Sequence, residues 1–148
     1  MLAQPAIIIM HTWRSSHIIC QRHAGHVSLN RKMDAAGFRA FIARGKSLLS
    51  KGASMVIFPE GTRSKTGKLA EFKKGAFTIA TQARARIVPI SILGTGDVMP
   101  AGKEGTLSPG KIKVIVHPAI DTKGKKTADV SEECRKVMCS VLPAWKLE

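Results

Sequence analysis

"VIFPEGTRSKTG", residues 56–67, opens like a sheet interior and closes as a charged turn. Val56, Ile57 and Phe58 suit a buried strand, and Pro59, which has no N–H to give a ladder, stops it. Glu60, Gly61, Thr62, Arg63, Ser64 and Lys65 then set one carboxylate, one permissive backbone position and several anion-binding groups at the strand's carboxyl end. Ligands of open α/β sheets bind beyond such ends. Backbone donors near Gly61, the Arg63 guanidinium and the ammonium groups of Lys65, Lys73 and Lys74 together suit a phosphate. Glu60 cannot hold an anion, so it is expected to accept from a hydroxyl or to orient Arg63. A phosphate ester that also carries free hydroxyls satisfies both halves.

Working outward, the strand Ser54–Phe58 follows a helix signal. Asp34 is a good N-cap, and Phe38, Phe41, Ile42, Leu48 and Leu49 fall near helical spacing. Gly52 stands where a left-handed C-cap is expected. Downstream, "LAEFKKGAFTIATQA" predicts a helix with Phe72, Ala76, Ile79 and Ala80 inward and Gly75 as a weak point within it. "RIVPISIL", residues 86–93, predicts a second buried strand, in which Pro89 implies a sheet edge or a bulge. A Gly/Pro-rich loop leads to "KIKVIVH", residues 111–117, a half-exposed strand. The last helix is expected to start at Asp129 with Glu132 closing a capping box, and to turn Val130, Cys134, Val137, Met138 and Val141 inward. Short "PAIIIM" near the amino terminus is strand-like. Strands alternating with helices predict an α/β fold with a mixed, partly parallel sheet and flanking helices.

The 148 residues fit one domain, and their 44% hydrophobic share is enough for a core. Twenty-four Lys and Arg against ten acids give a net charge of +14, so the partner is expected to be anionic: a phosphorylated small molecule, an acidic carrier protein, an acidic membrane surface or a nucleic acid. Cys20, Cys134 and Cys139 lack paired metal spacing and read as reduced thiols, with no metal expected. The longest apolar run, Ala6 to Met10, cannot cross a bilayer, so membrane contact is expected to be peripheral. Residues 1–33 contain no Asp or Glu, which leaves a plastid or other organelle address open.

On these residues the chain resembles the glycerolipid acyltransferase family, of 1-acylglycerol-3-phosphate (lysophosphatidic acid) acyltransferase type. "FPEGTRS", Phe58 to Ser64, is similar to that family's third motif throughout its length. "FKKGAF", Phe72 to Phe77, and "IVPISILGTGDVMPAG", Ile87 to Gly102, resemble it too, with a fourth-motif "VPI" at Val88 to Ile90. "HVSLNRKMD", His26 to Asp34, is similar to the second motif, with Arg31 in its phosphate-binding place. A seven-residue match inside a colinear stretch is a specific signal. The resemblance covers about residues 26–120 and implies transfer of a fatty acyl group from acyl-CoA or acyl-carrier protein to lysophosphatidate. It implies that Glu60, Gly61, Thr62 and Arg63 hold the acceptor, with Arg31 assisting at the phosphate.

The family's first motif, Asn-His-x-x-x-x-Asp, supplies the base and its orienter. Its nearest counterpart here is "IIIMHTWRSS", where Met10 stands for Asn, His11 for His and Ser16 for Asp. Ser16 cannot serve as an ionised orienter, so the catalytic base is unassigned. The expected division is an unassigned segment, 1–25, and a partial acyltransferase domain, 26–148, lacking the family's N-terminal portion and showing weak or no turnover. A non-catalytic phosphatidate or membrane-surface binder on the same frame is the alternative. A basic nucleic-acid binder fits the charge, but the chain has no Tyr and no reader motif, so no nucleic acid is expected. The plainer readings make Lys73 and Lys74 a solvated helix face as readily as ligand contacts. They make Arg39, Arg44 and Arg84 surface charges and His117 structural, and leave Trp13 and Trp145 as isolated aromatics.

Overall fold

A computed structural model describes residues 6–10 (backbone only), 34–61, 64, 68–103 and 105–143. Eight elements follow in chain order: β1 (Ala6–Met10), α1 (Ala35–Ser50), β2 (Met55–Ile57), α2 (Gly75–Ala83), β3 (Arg86–Leu93), the single turn α3 (Thr95–Val98), β4 (Lys113–Val116) and α4 (Thr127–Cys139). The strands form one mixed sheet in the order β2-β1-β3-β4. β1 runs parallel to both neighbours, with Ile8 in register with Val56 and with Val88, and β4 is antiparallel to β3. β1 comes from the segment set apart in the sequence as 1–25, and it lies between β2 and β3.

Local chemistry explains most boundaries. The Asp34 carboxylate accepts from the Gly37 N–H at 2.8 Å, capping α1. At the other end Gly52, with φ +84°, takes the left-handed turn that stops the helix. The inward face of α1 is Phe41, Ile42, Gly45 and Leu49, whereas Phe38 is exposed. At Gly45 the helix backbone approaches α2 so closely that a Cβ there would lie 2.7 Å from the Ile79 side chain. Phe77, Ile79, Ile87, Val130, Cys134 and Met138 fill the core beneath the sheet. Burial pushes the Cys134 thiol up to about 12, so it stays protonated and unreactive. Cys134 and Cys139 are both free thiols, and Cys20 lies outside the described residues.

Three expectations need correction. The helix predicted over residues 69–83 starts only at Gly75, because the preceding backbone is committed elsewhere: the Ala70 N–H donates to Glu60 and the Lys73 N–H to the Pro59 carbonyl, at 3.0 and 2.8 Å. Gly75 is therefore a first-turn residue rather than a flaw inside a helix. The last helix begins at Thr127 instead of after Asp129, with Lys126 at its cap. The Thr127 hydroxyl meets that of Thr81 at 3.1 Å across to α2, and Asp129 falls in the first turn, where it complements the helix dipole. Finally, the strand read as buried over Ser54–Phe58 is confined to Met55–Ile57, and Val56 in it is 54% accessible.

Pro89 sits in a strand with a neighbour on each side, so it does not mark an edge; it marks a bulge. Ile90 pairs with Val116 and Ile87 with Ile120, so Val88 and Pro89 face His117, Pro118 and Ala119. The Pro89 carbonyl accepts from the His117 N–H at 2.9 Å, and its missing donor falls where regular β4 pairing has ended. No helix among the described residues is long and apolar enough to cross a membrane.

Candidate functional site

The parallel arrangement of β1, β2 and β3 puts their carboxyl ends at one pole, and the turn after β2 lies there. Gly61, at φ +69°, closes it with an N–H donated to the Phe58 carbonyl at 3.1 Å. That φ belongs to the region glycine occupies freely. A Cβ at Gly61 would also lie 3.2 Å from Lys73 Cδ and Cε and 3.4 Å from Nζ, so the Lys73 side chain runs directly over the turn.

Glu60 reaches the segment before α2. It is 3% exposed, and Oε2 accepts from the Ala70 N–H at 3.0 Å. The Ala70 carbonyl in turn accepts from Arg135 Nη1 at 2.8 Å, and the Arg135 guanidinium lies 5.4 Å from the centre of the Phe72 ring. Phe72 stacks on Phe77 with ring centres 6.0 Å apart. One residue, Ala70, is thus held from the strand end by a carboxylate at its N–H and from α4 by a guanidinium at its carbonyl. This clamp ties the segment before α2 to the turn after β2, and it delivers Lys73 beside Gly61.

Helix α2 adds a favourable field. Its cap residue, Lys74, makes no side-chain capping bond, and its first turn contains no acid. The positive end of the helix and the Lys73 ammonium therefore share one region at the pole with the turn at Gly61, an arrangement that attracts a phosphate oxygen. The third strand ends at the same pole with Gly94, whose φ of +87° and tight approach to the Lys111 carbonyl exclude any side chain.

Of the residues singled out in the sequence, Glu60 and Gly61 sit at this pole, with Lys73 beside Gly61 and Lys74 at the amino-terminal cap of α2. Thr62, Arg63, Lys65, Arg31, His11 and Ser16 lie outside the described residues, as do Trp13 and Trp145. Glu60 has a backbone partner that the sequence did not indicate. Arg135 and Ala70 escaped notice altogether: Arg135 stands next to Cys134 among Glu132, Glu133 and Lys136, so no local pattern sets it apart. His117, read as structural, is buried with Nε2 2.9 Å from the Ser91 hydroxyl, and burial lowers its pKa. No His/Cys/Asp/Glu cluster suited to a metal occurs among the described residues.

The profile of the Acyltransferase family matches residues 6–93. The chain is 42% identical over 119 residues to a 1-acyl-sn-glycerol-3-phosphate acyltransferase of Chlamydomonas reinhardtii, covering 80% of the chain and 35% of that protein. A chloroplastic 1-acyl-sn-glycerol-3-phosphate acyltransferase of Arabidopsis thaliana is 46% identical over 105 residues, 71% of the chain and 29% of the relative. The chain therefore spans about a third of the length of these relatives. The crystal structure of the 1-acyl-sn-glycerophosphate acyltransferase of Thermotoga maritima matches with a TM-score of 0.69 at 25% identity, over 93% of this chain and 64% of that one.

Proposed function

Because the chain belongs to the Acyltransferase family, we propose that it forms the acceptor-binding part of a 1-acylglycerol-3-phosphate acyltransferase, moving a fatty acyl group from acyl-CoA or acyl-carrier protein to lysophosphatidate in phospholipid synthesis. The observation that carries this reading is the turn after β2, with the buried Glu60 bolting it to Ala70 and Lys73 laid over Gly61. The domain takes in β1 together with residues 26–148, since β1 lies between β2 and β3 and the family match begins at residue 6.

In this proposal Arg63 and Arg31 bind the acceptor phosphate, and Gly61 and Thr62 shape the backbone that faces it. Glu60 acts from beneath: as a buried carboxylate bonded to Ala70, it fixes where the turn stands and so where Arg63 starts. The acceptor hydroxyl attacks the donor's thioester carbonyl, an ester bond forms and the carbon–sulfur bond breaks. The hydroxyl proton passes to a base, and the departing thiolate takes up a proton. The donor is anionic, so the charge of +14 favours it, the acceptor and an anionic membrane surface met peripherally. A plastid, or another organelle, is the proposed location, in keeping with the chloroplastic relatives from Arabidopsis thaliana and Brassica napus.

Met10 and Ser16, in place of the asparagine and aspartate of the first motif, favour a second reading: a phosphatidate binder without turnover. Acyl transfer from a labelled acyl-CoA to lysophosphatidate separates the two. Product that disappears in His11→Ala supports the enzyme and assigns its base. Retained lysophosphatidate binding without product supports the binder, and loss of neither activity nor binding in Arg63→Ala overturns the site itself.

A further inference from the structure

A second basic region lies at the opposite pole, away from the turn after β2. A cleft of about 750 Å³ opens where the carboxyl ends of α1 and α2 meet the amino end of β3, and Lys46, Arg84, Arg86 and Lys123 line it against one carboxylate, Asp121. Eight residues of β3 separate it from the other pole, roughly 25 Å of strand. Leu49 and Ala85 are buried at its floor.

Helix ends explain only part of this charge. Arg84 caps the carboxyl end of α2, where a cation complements the dipole, and Lys46 stands just before the last turn of α1. Arg86 comes from β3 and Lys123 from the loop after Ile120, so neither is required by those helix ends. Among the described residues none of the four cations takes part in an ion pair within 4 Å; the pair recorded there is Lys125–Glu133. Asp121 is partly occupied, accepting from the Lys123 N–H at 3.0 Å, and its field reaches Arg86.

The frame beneath the cations is rigid. Thr122, 1% exposed between Asp121 and Lys123, donates its hydroxyl to the Ala85 carbonyl at 2.9 Å. Ile87 and Ile120 exchange backbone bonds at 3.0 and 2.8 Å. These contacts fix the backbones of Arg84, Arg86 and Lys123 relative to one another, so that only their exposed side chains have to order around an anion. Arg84 itself caps α2 at φ +52°, in the left-handed region that glycine favours, and its N–H closes the helix onto Ala80 and Thr81. The position keeps a long cationic side chain where the backbone calls for none.

We infer that this cleft is a second anion site, one that takes a phosphate group at the pole opposite the turn after β2. The phosphate can belong to free inorganic phosphate or to a lipid headgroup, and the two sources are separable. Amide shifts of the full 148-residue chain are followed while inorganic phosphate is added, and in a second arm with phosphatidate in phosphatidylcholine vesicles, read by co-flotation. The expected result is a saturable shift at Ala83, Ala85 and Lys123 or vesicle capture, weakened about tenfold or more in Arg84→Gly/Arg86→Gln. Lys111→Gln/Lys113→Gln removes the same charge elsewhere and is expected to bind like the parent. Arg84→Gly relieves the left-handed backbone, so the fold is expected to survive; Arg86→Gln alone gives the same reading without touching the cap. A response in the phosphate arm assigns free phosphate, and one in the vesicle arm alone assigns the headgroup. The inference is overturned if neither probe acts at these residues, or if the double variant binds as the parent does. Shifts confined to Gly61 and Ala70 would also overturn it while leaving the proposed acceptor site standing.

Discussion

Glu60 is a carboxylate in a place where carboxylates are rarely tolerated without partners, and the Ala70 N–H is one partner it has there. Removing it leaves the half-buried Ala70 donor short of its acceptor, which costs about 1 kcal/mol. Glu60→Ala is therefore expected to lower unfolding stability in urea by that amount. Glu60→Gln keeps an oxygen for Ala70 and is expected to lose much less. Equal losses for the two variants would mean that the Ala70 bond does not carry the effect. His117 gives a second single-residue prediction. Burial lowers its pKa below the ordinary 6.5, so the folded protein holds the neutral ring bonded to Ser91 while the unfolded chain takes up the proton more readily. Its contribution is present above about pH 6.5 and is lost as the pH falls from there through the lower folded value. Denaturation midpoints measured from pH 7.5 to pH 5 should decline, and His117→Gln should flatten that part of the slope.

At the scale of elements, the contact between α1 and α2 sets the tightest requirement. Gly45→Ala gains helix propensity of about 1 kcal/mol. It also drives a methyl group into Ile79, which is wholly buried and met at 2.7, 2.9 and 3.1 Å by three of its atoms. Overpacking of that kind costs about 1–3 kcal/mol, so net destabilisation is expected in thermal melts, and a raised Tm would show that the helices can part. The same elements show what a sequence discloses. Asp34 and Gly52 announced both ends of α1, since each cap is a local matter of one side chain or one φ value. The span 86–93 of β3 was equally plain, being a long β-branched run. The start of α2 was hidden: Leu69, Phe72 and Ala76 have helical spacing, but bonds from residues ten or more positions away hold Ala70 and Lys73 out of the helix. The cap at Asp129 misled because α4 begins two residues earlier, at Thr127, whose hydroxyl meets Thr81 of α2, a contact between residues far apart in the chain.

For the whole molecule, the sheet order β2-β1-β3-β4 sets two basic regions at opposite poles, and the excess charge extends well beyond either. Capture by phosphatidate-containing vesicles is expected at low salt and should fall steeply between about 0.1 M and 1 M, as the screening length shrinks from roughly 10 Å to 3 Å. Capture by pure phosphatidylcholine should be slight at every salt concentration. A salt-independent interaction would instead point to the exposed apolar residues Val56, Val114 and Val116. The acceptor turn was legible in the sequence because its motif is contiguous; its supports were not, because Arg135 reaches Ala70 from the far end of the chain. The central claim is that the turn after β2 grips the phosphate of an acylated glycerol. Its most direct test is isothermal titration of lysophosphatidate, below its micelle concentration, into the parent chain and Arg63→Ala. The account predicts affinity at least about tenfold weaker in the variant, from the loss of a charge-assisted phosphate contact. Equal affinity in the two proteins would contradict it.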